Sequence, residues 1–134
     1  MKKISKLDEY LFDLNGYLII KNALNKIELK DLNNILDKLK NTKNDEWSGY
    51  VHGHNYGGKE GLNLQQIYEA GKPFEKLIDH PSWINHMLHF VGGKGTFDHL
   101  HGPLFIDENF ANIRGPGEAI GIHSGNPEGV QRNH

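Results

Sequence analysis

Nine histidines in 134 residues make imidazole the first chemistry to weigh, because neutral imidazole is the commonest side-chain metal ligand. The sharpest pair is His99-Leu100-His101. On a strand, residues two apart project from one face, so both rings could reach a shared ion. The alternative is a core imidazole bonded to backbone beside a solvated one. His52-Gly53-His54 repeats the spacing inside a glycine-rich stretch that reads as an exposed loop. His86 and His89 are three apart on a predicted helix and share a face, but no carboxylate or third histidine stands at matching spacing. His123 sits in Ile120-Gly121-Ile122-His123-Ser124-Gly125, and Arg114 is one of only two arginines. Its guanidinium could clamp a carboxylate in two-pronged fashion; an ion pair with Glu118 is the structural alternative.

Several chemistries are excluded. There is no cysteine, hence no disulfide, thiolate metal site or cysteine nucleophile. The chain has no His-Glu-x-x-His helix, no phosphate-binding Gly-Lys-Ser/Thr loop and no Gly-x-Ser-x-Gly elbow. Gly115-Pro116-Gly117-Glu118-Ala119-Ile120-Gly121 is not a dinucleotide loop: its spacing is wrong, proline removes an amide donor, and no βαβ unit surrounds it. A net charge of −2 offers no footprint for nucleic acid or an anionic membrane. No apolar run approaches the roughly 20 residues of a membrane span, and no secretory signal follows Met1. A cytoplasmic setting is the expectation.

The elements that must position these residues change character near residue 48. Gly16 is the only glycine before that point; the other 15 follow it. Ser5 with Asp8 predicts a capping box, Ile4, Leu7, Leu11 and Leu14 form a helical stripe, and Asn15-Gly16 ends the helix. Residues 17–20, Tyr-Leu-Ile-Ile, read as a buried strand. Asn25 with Glu28 starts a second helix whose buried face is Leu29, Leu32, Ile35, Leu36 and Leu39. A long loop is expected over 47–61, a turn or two of helix over 62–70, and helices from Pro73 and Pro81. Alternation predicts strands over 96–105 and 119–123.

The order of these segments resembles the N-terminal part of the phytanoyl-CoA dioxygenase family. The opening LDEYLFDLNGYLIIKNALNKIELKDLNNILDKL is similar to its helix, Asn-Gly-Tyr strand, Asn-Ala-Leu turn and long amphipathic helix. HPSWINHMLHFVGG and FIDENFANIRGPGEAIGIHSG look like the approach to its first core strands. The resemblance spans nearly the whole chain. It implies an α+β fold, with N-terminal helices buttressing an incomplete double-stranded β-helix, a jelly-roll or cupin-like barrel. It implies iron(II) and 2-oxoglutarate as cofactors and a small or lipid-like organic molecule as the substrate hydroxylated. Such an iron needs two histidines and one carboxylate on one face.

In this sequence none of the nine histidines is followed two positions later by Asp or Glu. The expectation is therefore a single partial domain: an opening segment over 1–48, loop and helices over 49–93, and the first strands of a truncated jelly roll over 94–134. His99, His101 and Arg114 are then candidates to line the substrate or co-substrate pocket, and His123 to be a metal ligand with the others beyond residue 134. The piece alone is expected to be inactive, and its catalytic residues are unassigned. Two other classes stand beside this reading. One is a non-catalytic β-module in which His99 and His101, with His123 as a further candidate, hold a divalent ion or ligand; the other is a helical piece docking on a partner through Leu29, Leu32, Leu36 and Leu39.

Overall fold

The computed structural model describes residues 3–56, 60–92, 102–106 and 108–120. Helix α1 (Lys6–Asn15) starts on Ser5, whose Oγ accepts the Asp8 N–H at 3.1 Å while Asp8 Oδ2 accepts the Ser5 N–H at 2.8 Å. It ends where Gly16 turns left-handed at φ 75° and donates to the Phe12 carbonyl. Helix α2 (Lys26–Leu39) repeats the device: Asn25 Oδ1 accepts from Ile27 and Glu28, and Glu28 Oε2 accepts the Asn25 N–H at 2.7 Å. Each box satisfies N–H groups that a helix end would otherwise leave bare.

Four short strands follow: β1 (Trp47–Ser48), β2 (Val51–His54), β3 (Leu62–Gln65) and β4 (Phe110–Ile113). They pair antiparallel in the order β1-β2-β3-β4. Gly49, left-handed at φ 64°, opens the two-residue turn between β1 and β2, as tight hairpins require. Between β3 and β4 the chain leaves the sheet for a 3₁₀ turn (Ile67–Ala70), α3 (Lys72–Glu75) and α4 (Ile84–Phe90).

The core lies on one face of this sheet. Val51 and Leu64 are almost wholly buried there, packed with Leu32 and Leu39 of α2, Ile67 and Phe74. Leu62, Ala111 and Ile113 extend the apolar face, and Ile35 and Leu36 meet it from α2. Burying an aliphatic side chain this way contributes about 1.5–3 kcal/mol before ordering costs. Gly53 lies on the same face by register, and it is glycine because another segment crosses it there. A Cβ there would stand 2.3 Å from the Lys43 carbonyl oxygen, and the 43–46 segment is tied down by bonds from Asp45 N to Gly53 O and from Gly53 N to Glu46 O.

Several expectations need correcting. Residues 17–20 are irregular, with Tyr17 and Ile19 exposed; an apolar run makes a strand only with a neighbour to pair with, and none of the described strands lies alongside. The expected loop over 47–61 contains β1 and β2, and the expected helix over 62–70 is a strand followed by a 3₁₀ turn. Leu7 and Leu14 of the predicted α1 stripe are more than 60% exposed. The helix instead turns Phe12 inward, its ring stacked on Phe90 at 4.3 Å. Leu29 of α2 is likewise exposed. Most of the strand expected over 96–105 lies outside the described residues, and within it Phe105 is exposed. In the expected 119–123 strand, Ala119 and Ile120 are irregular and the rest lies outside the described residues.

The architecture is α+β, a four-stranded antiparallel sheet backed by helices.

Candidate functional site: the polar face of the sheet

Strand alternation puts the chemistry on the side opposite the core. The register pairs Trp47 with His52, His52 with Gln65, His54 with Asn63 and Asn63 with Asn112. These residues therefore share one face. Along it runs an aromatic row: Trp47 to His52 at 4.8 Å between ring centroids, His52 to His54 at 5.8 Å, and His54 to Tyr56 at 4.4 Å. Beside it runs an amide row. Gln65 Nε2 donates to Asn63 Oδ1 at 2.8 Å and to Tyr56 Oη at 2.9 Å, and Asn63 Nδ2 donates to Asn112 Oδ1. Asn63 is buried, so this network answers the cost of taking an amide out of water.

The face combines flat π surfaces with carboxamides and imidazoles, and none of the residues just named carries a carboxylate or a permanent cation. Such a surface can stack planar or ring-shaped groups and exchange hydrogen bonds with neutral polar ones. Two imidazoles also offer nitrogen donors. The sequence shows the His52–His54 spacing but disguises it as a loop. The amide row was not anticipated, although Leu62-Asn63-Leu64-Gln65 alternates with the period of a half-buried strand.

The other described histidines serve the fold. His80, on the turn before α4, is buried. Its Nδ1 accepts the Ser82 N–H and its Nε2 donates to Glu28 Oε1, each at 3.2 Å, while its ring stacks on Trp83 at 4.4 Å. The Asn25 N–H and then the His80 bond hold the Glu28 carboxyl below its ordinary value near 4.5. A small cleft of about 40 Å³ lies here, lined by Leu24, Glu28, Asp31, Pro73, Lys76, Leu77 and His80. His89 pairs with Glu9 at 3.0 Å, whereas His86 is buried with Nδ1 unbonded among the described residues. The predicted His86–His89 face is thus divided between two tasks.

Arg114, just past β4, is exposed, and its Nε donates to the Glu60 carbonyl oxygen at 3.2 Å. Glu118 turns away from it to accept the Gly115 N–H, so the alternative Arg114–Glu118 pair is absent among the described contacts. His99, His101 and His123, the other site candidates, lie outside the described residues. Among the described residues no three His, Cys, Asp or Glu side chains converge to hold a metal ion. The described part therefore does not fit a two-histidine, one-carboxylate iron centre. No described helix is long and apolar enough to cross a membrane. No family model, no curated protein and no solved structure matches this chain.

Proposed function

We propose that this chain forms the opening segment of an iron(II)- and 2-oxoglutarate-dependent oxygenase hydroxylating a small or lipid-like organic substrate. The observation that carries the reading is the joint occurrence of two stretches. One is the Asn-Gly-Tyr and Asn-Ala-Leu opening between α1 and α2; the other is IRGPGEAIGIHSG, which starts on Ile113, the last residue of β4.

The reading is supported by how the sheet is used. Its apolar face is backed by α2 and α3, as buttressing helices would do, and its polar face stays available to line a cavity once further strands close a jelly roll. On this hypothesis α1 and α2 hold the sheet and do no chemistry. Trp47, Tyr56 and the amides of Gln65 and Asn112 would border the substrate, and the iron ligands come from outside the described residues, His123 among the candidates. The setting is taken as cytoplasmic, in keeping with a chain that has no cysteine.

The test is succinate release on incubation with iron(II), 2-oxoglutarate and oxygen. The product of the gene's whole reading frame should release succinate and this chain alone should not. A whole product that binds no iron and releases no succinate would end the proposal.

A further inference from the structure

We propose that His52 and His54, side by side on the polar face of β2, form a two-imidazole site for a late first-row divalent metal ion, copper(II) foremost. Three observations carry it.

The first is separation. Two imidazoles on one ion put each nitrogen about 2.0–2.1 Å from the metal and each ring centroid about 3.2 Å from it. The centroids then stand about 5.2 Å apart at a tetrahedral angle and about 6.4 Å apart when opposite each other. The His52 and His54 centroids are 5.8 Å apart, inside that window.

The second is availability. Asn63, Gln65, Tyr56 and Asn112 on this face are bonded to one another. His52 and His54 make ring contacts, but their nitrogens have no hydrogen-bond partner among the described residues. Both rings are only partly buried, so an ion can reach them. This is the reverse of His80, whose two nitrogens are both engaged.

The third is the kind of donor nearby. Gln65 lies directly across from His52. Its Nε2 gives both protons to Asn63 and Tyr56, which leaves the carbonyl oxygen Oε1 unbonded among the described residues. Two imidazole nitrogens with amide or water oxygen make a mixed nitrogen–oxygen set, which suits copper(II) or nickel(II), and affinity for such a set rises along the series to copper. Among the described residues no carboxylate joins the two imidazoles, so calcium and magnesium, which take oxygen ligands, are poorly served there.

The inference does not rest on the oxygenase reading, and its test reads no turnover. The chain is titrated with copper(II) and zinc(II), with H52Q, H54Q and the double variant H99Q/H101Q run in parallel. One equivalent should bind, copper more tightly than zinc. H52Q and H54Q should each weaken copper binding at least about tenfold, since losing even an outer-shell partner of a ligand costs that much, while H99Q/H101Q should leave this site intact. In the unaltered protein, copper(II) should broaden the ring resonances of His52 and His54 before those of buried His80 and His86, a measurement that does not depend on any variant folding. Copper binding unchanged in both single variants, binding abolished by H99Q/H101Q alone, or ring resonances of the pair untouched by copper would each overturn it.

Discussion

The described histidines fall into two groups that the fold treats in opposite ways. Around α4 two imidazoles are engaged by hydrogen bonds, His80 with Ser82 and Glu28 and His89 with Glu9, and the third, His86, is shut away by burial, its Nδ1 unbonded among the described residues. On β2 the imidazoles stand clear of such bonds. A count of histidines therefore says little about binding capacity. What matters is which ring nitrogens the surrounding chain has already engaged or buried, and that depends on contacts such as Glu28–His80, which join residues 52 apart in the sequence.

The largest effects should come from the face that both groups rely on. Leu64→Ala, at a fully buried position, should cost about 2–5 kcal/mol by urea unfolding, from lost transfer energy and the cavity left behind. Gly53→Ala should follow, at about 1–3 kcal/mol, because its methyl would press on the Lys43 carbonyl. If Gly53→Ala unfolds at the wild-type urea midpoint, the tight crossing between the 43–46 segment and β2 is not what constrains that position.

The histidine contrast predicts the next two results. His80→Ala should cost about 1–3 kcal/mol, since it removes a buried ring stacked on Trp83 together with its bonds to Ser82 and Glu28, whereas half-buried His52, with no such bonds among the described residues, should cost within about 0.5 kcal/mol on change to Ala. Equal losses in the two variants would erase the distinction between the groups. The smallest effect concerns pH. The Glu28 carboxyl is held below its ordinary value by the Asn25 N–H and then by His80, so its folded form prefers to be ionised. That contribution is fully present above the unfolded carboxylate value and is lost as pH falls below it, through the folded value. Melting temperature measured from pH 6 down to pH 3 should therefore fall slightly more steeply for the unaltered chain than for Glu28→Gln. Parallel curves would remove Glu28 from the account.

Much of the helical part was legible because its signals are local. Ser5 with Asp8, Asn25 with Glu28, and Gly16 each act within four residues, and spacing alone reveals them. The sheet was not legible for the converse reason. In Val51-His52-Gly53-His54 the inward positions are Val51 and Gly53, and glycine suggests a turn to any local reading; its real cause is a carbonyl arriving from residue 43. β4 becomes a strand by pairing with β3 across a long excursion, while the more apolar 17–20 segment, paired with none of the described strands, remains irregular. Of the site, the His-x-His spacing was visible. The amide row that frames it required the register.

The strand order has a kinetic consequence. β1, β2 and β3 are joined by short connections and can zip up as soon as they leave the ribosome. The seam between β3 and β4 cannot form until everything from Gln66 to Asn109 has been synthesised and has looped back. Closing so large a loop is the slow, entropically costly event in such topologies. Until then the free edge of β3 exposes unsatisfied peptide groups, and it is there that a nascent chain is most open to pairing with the wrong neighbour.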